Sequence, residues 1–381
     1  MTAHSHSGIT RLTACRMSSI RRTFLVGALL VGIGAFGPGA AQTERGDRSG
    51  AYTVEDLGDT SFRSVNSIND DGQVVGSAVV DGSQHAVLFW HRTVIDLGTV
   101  PGGSDSAAYA INNYGQVAGQ ARDSNGFAHA ALFDDGTVTD LGTLPGGSYS
   151  EAHGINDDSE VVGNSDIGSG LQQPALFENG RVTRLGLLPG DEFGQAFAIN
   201  NRGQAVGYSA SQPTSPRNTG ITHAVLFEHG SVTDLGVLPG GTFSNAFSIN
   251  DRGEVVGAAT DSTGIQRAAL FVDGEVIDLG FSKTDFSTAT DINERGDVVG
   301  YIGSAQAVLF AHGRIINLPP LPRGRYSMAL AINDHGQVLG LSDDRTGALR
   351  PVLWTPRRSK RAPFNNVETE ESEGQGWAPP R

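Results

Sequence analysis

A pattern ending in Ile-Asn returns seven times, at Ile68-Asn69, Ile111-Asn112, Ile155-Asn156, Ile199-Asn200, Ile249-Asn250, Ile292-Asn293 and Ile332-Asn333. The interval is about 40 to 50 residues, which restricts the chain to a stack or a ring made from copies of one small unit. Such a unit cannot bury a core alone, so the copies must pack on one another.

Each unit holds four short apolar-rich runs separated by turn residues, as in "SDSAAYAIN", "NYGQVAGQA", "HAALFDDG" and "TVTDLG" of the second copy. Runs of this length and spacing read as strands, here a, b, c and d. Between a and b most copies carry an Asn-Asp-x-Gly type turn, where glycine supplies the positive φ of a tight hairpin; the third copy has Ser159 instead. Strand c, such as Ala86-Val87-Leu88-Phe89, lacks polar alternation and should be covered on both faces.

The two ends decide between stack and ring. Strands a, b and c recur seven times after Ser61, but a following d strand only six times, and the last unit stops at Val352-Leu353-Trp354. The missing run stands at the front, where Tyr52 to Gly58 reads "YTVEDLG". An N-terminal strand that completes the last unit closes a ring and removes the open edges of a linear stack. The predicted fold is all-β, a seven-bladed β-propeller of four-stranded blades over residues 52–355, with Tyr52–Gly58 completing the last blade. An open β-solenoid would need capping units, and neither end resembles one. Because the borrowed strand is d, strand d is outermost and strand a lines the axis. The small residues four places before each Asn fit a crowded centre: Val65, Ala108, Ala152, Ala196, Ala246, Ala289 and Ala329.

The unit with His85-Ala86-Val87-Leu88-Phe89, Gly115-Gln116-Val117-Ala118-Gly119 and Asp140-Leu141-Gly142 resembles the HAF family of extracellular repeat proteins. The resemblance covers residues 52–354 and implies an extracellular location more than a chemistry. The chain departs from the His-Ala pattern at Gln173-Pro174, Arg267-Ala268, Gln306-Ala307 and Arg350-Pro351, against any role that needs all seven histidines. Gly102-Gly103, Gly146-Gly147 and Gly240-Gly241 give a weaker likeness to kelch propellers. Fold likeness of this kind does not transfer function.

Residues 1–41 read as a cleaved signal peptide, with Arg21-Arg22-Thr23-Phe24-Leu25, an apolar stretch to Phe36, and Gly39-Ala40-Ala41 at the expected cleavage site. The arginine pair resembles a twin-arginine signal, although Ile20 and Val26 depart from that consensus; Sec export is the alternative. The expected location is secreted or periplasmic. Met17 is an alternative start, and Leu12-Thr13-Ala14-Cys15 before it looks like a lipoprotein box but has no preceding apolar run. The apolar stretch is too short to span a membrane. Cys15 is the sole cysteine, so the mature chain has no thiolate, disulfide or cysteine metal site. Residues 42–51 read as a linker. A polar tail at 356–381 carries Arg357, Arg358, Lys360 and Arg361, then Glu368, Glu370, Glu371 and Glu373, and is expected to be disordered. The formal net charge of −14 falls further when the leader arginines go. That disfavours nucleic acid and anionic membranes as partners. A monomer is expected.

In such a ring the d-to-a and b-to-c loops share one face, and the a-to-b and c-to-d turns share the other. The first face varies between copies, its longest loop running from Ser209 to Thr222, and function belongs on variable loops over a rigid scaffold. Seven places before each Asn stands an aromatic residue in six copies, Phe62, Tyr149, Phe193, Phe243, Phe286 and Tyr326, with Asp105 the exception. Two places on come Ser64, Ala107, Glu151, Gln195, Asn245, Thr288 and Met328. The six rings with Glu151, Gln195 and Asn245 form the candidate ligand site, suited to sugar stacking or peptide capture. The competing reading packs each ring beneath its Pro-Gly loop.

Other chemistry finds less support. His85, His129, His223 and His153 would need to converge across blades to bind zinc, and no metal site is expected. Turns such as Asp123-Ser124-Asn125-Gly126 and Asp261-Ser262-Thr263-Gly264 resemble fragments of calcium loops without the full ligand set, so no cofactor is expected beyond a weak case for calcium. There is no G-x-S-x-G, H-E-x-x-H or P-loop, and the G-x-G-x-x-G match at Gly32 to Gly37 lies inside the signal segment. No catalytic residue is assigned. The leading expectation is a non-catalytic propeller that binds an extracellular or envelope ligand, glycan or protein, through its variable face. One alternative is a polysaccharide hydrolase or lyase using two of Asp105, Glu151, Asp191, Glu192 and Asp285; the other is a purely structural surface component.

Overall fold

The computed structural model describes residues 51–58, 62–212 and 221–357. The expected signal peptide and linker up to residue 50, residues 59–61 and 213–220, and the expected tail from 358 lie outside the described residues. Every regular element described is a β-strand, and the strands form seven antiparallel sheets of four.

The a strands are Phe62–Ile68, Ser106–Ile111, Ser150–Ile155, Phe193–Ile199, Ser244–Ile249, Ser287–Ile292 and Ser327–Ile332. Each pairs with its b strand, b with c, and c with d, in chain order. The seventh sheet takes its fourth strand from the other end of the chain, Tyr52–Asp56, which pairs with Leu349–Pro356 from Tyr52 opposite Pro356 to Asp56 opposite Val352. Arg350 Nε reaches Asp56 Oδ2 at 3.2 Å and Leu57 N donates to Pro351 O. The ring is therefore a seven-bladed β-propeller, closed as its end bookkeeping predicts.

The core is not central. Seven apolar clusters each join two neighbouring blades, including one between the last blade and the first. Between blades 1 and 2, for example, Val75 and Ala86 meet Ala108, Ile111, Val117 and Phe133. Strand c contributes to both of its flanking clusters, which is why it reads as an unbroken apolar run. The small residues four places before each Asn are buried against the b strand, where a glycine is obligatory. A Cβ at Gly163 would fall on the carbonyl oxygen of Glu151, and its equivalents at Gly207 and Gly257 meet the same obstacle. Close approach of the a and b backbones thus selects glycine in strand b.

All seven a strands also carry a register shift three places before the Asn, as between Ala152 and Gly154. A bulge of this kind adds a residue and re-aims its side chain.

Candidate functional site

The repeated Asn is the fastener of the ring. Each Nδ2 donates to the main-chain oxygen of the Asn in the next blade, 69 to 112, 112 to 156, 156 to 200, 200 to 250, 250 to 293, 293 to 333 and 333 back to 69, at 3.0 to 3.2 Å. Each Oδ1 caps its own turn, as Asn200 Oδ1 accepts from Arg202 N and Gln204 N. A second circuit lies beside it. The main-chain N–H after each Asn donates to the side chain after the next Asn, through Asp70, Asn113, Asp157, Asn201, Asp251, Glu294 and Asp334. Two closed circuits leave the a-to-b face with its buried polar groups satisfied, as a stable interior requires. The third turn keeps the left-handed geometry without glycine, Ser159 taking φ 63°.

The opposite face is built differently. Three buried side-chain oxygens among the described residues have no hydrogen-bond donor, Gln173 Oε1, Gln195 Oε1 and Asn245 Oδ1, and all three belong to strand ends on the variable side. Gln195 is 5 % exposed, so the missing partner is not ordinary bulk water. Its Nε2 donates to Gln172 Oε1 at 3.1 Å, and Gln172 also accepts from Asn164 Nδ2. Asn164 Oδ1 accepts from His153 Nε2 at 2.6 Å, and that nitrogen lies 3.7 Å from Glu151 Oε2. Burial, and then the charge of the Glu151 carboxylate, hold the Tyr109 and Tyr149 phenols well above the usual tyrosine range.

The bulge residues add an arc that the strand pattern does not announce. Ring centroids run from Tyr109 to His153 at 5.8 Å, His153 to Phe197 at 5.8 Å, and Phe197 to Phe247 at 5.9 Å, crossing blades 2 to 5. Tyr208 stacks at 5.7 Å on Phe197 and meets Phe193 edge-on at 6.3 Å. The other rings of the candidate set are packed locally, Phe62, Phe243 and Tyr326 half-buried and Phe286 exposed. Phe62 is edge-on to Phe89, Phe286 is edge-on to Tyr301, and Tyr326 Oη donates to Met328 Sδ. Phe243 is anchored through its main chain, its N–H donating to Thr260 Oγ1. Thus Tyr149, Phe193, Glu151 and Gln195 come together in the third and fourth blades, with Asn245 in the next blade, whereas Phe62, Phe286 and Tyr326 stand apart.

Where the aromatic column is broken, the variable face opens. Asp105 replaces the ring in blade 2, and a cleft of ≈ 170 Å³ lies there, lined by Gln84, Asp105, Ser106, Gln120 and Arg122.

The histidines of the His-Ala motif have a local role. Nδ1 of His85, His129 and His223 meets Asp96, Asp140 and Asp234 of its own blade at 2.7 to 2.9 Å. Where histidine is lost, the aspartate position reads Arg184 in the blade of Gln173 and Asn317 in that of Gln306, whereas the blades with Arg267 and Arg350 keep an aspartate, Asp278 and Asp56. The acidic turns are likewise self-contained. Hydrogen bonds from Thr263, then Arg267 and main-chain amides, hold the Asp261 carboxyl below the usual range. Among the described residues no group of three or more His, Cys, Asp or Glu is placed to hold a metal ion. The carboxylates of the variable face have separate partners: Asp105 accepts from Ser104, Asp191 from Ser209 and Asp285 from Thr284, while Glu151 sits by His153; at Glu192 it is the main-chain oxygen that accepts, from Gln173.

Residues 192–313 match a family described as a protein of unknown function (DUF3466). No curated protein matches the chain. Among solved structures, the chain is similar to the β-propeller domain of the Trilobed protease from Pyrococcus furiosus, at 11 % identity and TM-score 0.54, over 82 % of this chain and 99 % of that one. That domain is described as having an open velcro topology, whereas here Tyr52–Asp56 closes the last blade. A Mycobacterium tuberculosis puromycin-hydrolyzing peptidase matches at 13 % identity and TM-score 0.55, over 80 % of this chain and 54 % of that one. Pyrococcus horikoshii acylaminoacyl peptidase matches at 12 % and 0.51, over 77 % and 51 %. The chain therefore spans about half the length of these two peptidases. At such identities the likeness is one of fold.

Proposed function

We propose that this chain is an exported, HAF-type propeller that binds an extracellular or envelope ligand, glycan or protein, on its variable face without chemical turnover. The observation that carries the reading is the contrast in hydrogen-bond satisfaction. The a-to-b face completes two sevenfold circuits, while Gln195 Oε1 and Asn245 Oδ1 are left without donors beside the Tyr109–Phe247 arc. Unmet acceptors beside aromatic rings are what a bound molecule with N–H or O–H groups would complete.

The test is an array screen of residues 42–381 against glycans and envelope extracts, with and without calcium. Specific binding is expected, and it should fall in a Phe193→Ala variant that remains folded. Absence of binding in both conditions would leave a structural surface component as the better account. Turnover of an arrayed polysaccharide would establish the enzymatic one. Among the described residues no helix is long and apolar enough to cross a membrane.

A further inference from the structure

We infer that the cleft at Asp105, between blades 1 and 2, is a site for a single polar α-amino acid, its carboxylate held by Arg122 and the loop amides and its ammonium by Asp105. The site goes beyond the binding reading above and does not rest on it, because none of Phe193, Gln195 or Asn245 lines the cleft.

The other blades show what blade 2 lacks. Six of them set an aromatic ring seven places before the Asn, whereas blade 2 sets Asp105 there and leaves a cleft of ≈ 170 Å³. That is room for about five or six waters, one small molecule rather than a chain. A second element is missing from the loop. In blades 3, 5 and 7 a side-chain oxygen from the end of strand b accepts two successive main-chain N–H groups, those of the ring residue and of the residue before it. Asp166 Oδ1 takes them from Ser148 and Tyr149 at 2.7 and 3.0 Å, Thr260 Oγ1 from Thr242 and Phe243 at 3.1 Å, and Asp343 Oδ1 from Arg325 and Tyr326 at 2.6 and 2.7 Å. Blade 2 has Arg122 at that position, a side chain with donors only. The N–H groups of Ser104 and Asp105 therefore lack the oxygen that their counterparts have, and a guanidinium stands in its place. Donors of this kind, one of them cationic, suit a carboxylate.

A third gap lies on the blade 1 side. The strand c glutamines that correspond to Gln84 reach the a strand of the next blade, Gln172 Oε1 accepting from Gln195 Nε2 at 3.1 Å and Gln266 Nε2 donating to Thr288 Oγ1 at 2.7 Å. For Gln84 the matching residue is Ala107, which has no polar atom to offer. Gln120 pairs with the same alanine across the sheet, where its counterpart Asn164 is bonded to Gln172 and His153. Two carboxamides are thus left to line the cleft, each with a donor and an acceptor for a polar side chain.

Charge completes the pattern. Asp105 accepts from Ser104 Oγ at 2.6 Å and Arg122 gives one N–H to Gly126 O at 2.9 Å, yet among the described residues neither takes part in an ion pair. Walls that carry one unpaired cation and one unpaired anion match a ligand with both charges. A simple anion would meet Asp105 and a simple cation Arg122. A sugar would find no ring lining the cleft to stack on.

The test is a calorimetric titration of the purified protein with L-glutamine, L-leucine, N-acetyl-L-glutamine, L-glutamine amide and galactose. Glutamine should bind best, and loss of either charge, in the N-acetyl compound or the amide, should weaken binding at least about tenfold. Leucine should bind more weakly than glutamine because it cannot answer Gln84 and Gln120. In spectra of ¹⁵N-labelled protein, the amide signals of Ser104 and Asp105 should move on titration with glutamine. Asp105→Phe, which installs the ring of the other blades, should abolish binding without lowering the melting temperature. Should that variant not fold, Asp105→Asn keeps the outline of the cleft and should weaken glutamine about tenfold while leaving N-acetylglutamine unchanged. Equal binding of either singly charged compound, of leucine or of galactose, still amides at Ser104 and Asp105, persistence in the Asp105 variants, or no binding of glutamine would each overturn the proposal. Phe193→Ala separates the two readings. It should leave glutamine binding intact whether or not an array ligand is found, and an array ligand that survives Asp105→Phe keeps the binding function when the amino-acid site fails.

Discussion

The two faces of this propeller are made from the same repeated unit, yet one is finished and the other is not. On the a-to-b face the Asn side chain, the Asn carbonyl and the following N–H are all consumed around a closed circuit. On the d-to-a and b-to-c face the equivalent positions change from blade to blade, from Ser64 to Glu151 to Met328, and two of the amides in that column lack a donor for their oxygens. Sevenfold satisfaction needs seven equal copies, whereas recognition needs unequal ones. The first face therefore holds the ring together and the second is free to diverge.

The largest effect should follow from breaking the finished face. Asn200 is 4 % exposed and donates to Asn250 O and Gln204 Oε1 while accepting from Arg202 N and Gln204 N. Asn200→Ala strands these buried partners, and the loss should be about 3 kcal/mol or more. Urea unfolding of the wild type and the variant measures it. A loss below about 1 kcal/mol would mean that the circuit is decorative and that the apolar clusters alone close the ring.

One group strains the closed side, and pH exposes it. Asp291 lies two places before Asn293, where other blades carry Ala, Gly or Ser. It accepts from Ser248 Oγ at 2.6 Å in blade 5 and Ile332 N at 2.8 Å in blade 7, so it links three blades. Burial pushes its carboxyl up to about 6 despite these bonds. Because the folded state holds this proton more tightly than the unfolded chain does, its stabilising contribution is full below about pH 4. It is lost as pH rises through about 6. An Asp291→Asn variant does not titrate there. Its stability relative to wild type should therefore rise by about 2 kcal/mol between pH 4 and pH 7.5. The steric cost of the amide against Ile332 N–H is the same at both pH values and cancels. A pH-independent difference would show that the carboxylate is well solvated.

The ring was legible in the sequence because repetition and end bookkeeping are local signals: four runs per copy and one displaced "YTVEDLG". The circuit of asparagines was not, since the partner of Asn69 is Asn112 and a pattern within one copy contains no trace of it. The candidate column of Glu151, Gln195 and Asn245 came from the variability of one strand position. The Tyr109–His153–Phe197–Phe247 arc was missed although four successive copies carry a ring there. A strict two-residue alternation does not reveal the bulge that turns that position toward the neighbouring blade. The pairing of His85 with Asp96 was available from the copies themselves, because the aspartate gives way to Arg184 and Asn317 where neutral Gln173 and Gln306 replace the histidine and stays, as Asp278 and Asp56, where Arg267 and Arg350 do.

The smallest expected change in stability gives the sharpest test of the contrast. Gln195 lies as deep as Asn200, at 5 % exposure, and both are amides in the a strand region of blade 4. If burial alone decided the cost of mutation, Gln195→Leu would match Asn200→Ala. The hydrogen-bond account says otherwise. Leucine removes an oxygen that has no donor and one N–H bond to Gln172, whose oxygen still accepts from Asn164. Loss of one modest bond should be offset by removal of an unsatisfied buried acceptor and gain of apolar burial beside Phe197 and Tyr208, leaving a net change within about 1 kcal/mol of zero. Urea unfolding at neutral pH reads it directly. A loss approaching that of Asn200→Ala would mean that the Gln195 oxygen is satisfied within the fold by bound water, and the variable face would then be as finished as the other.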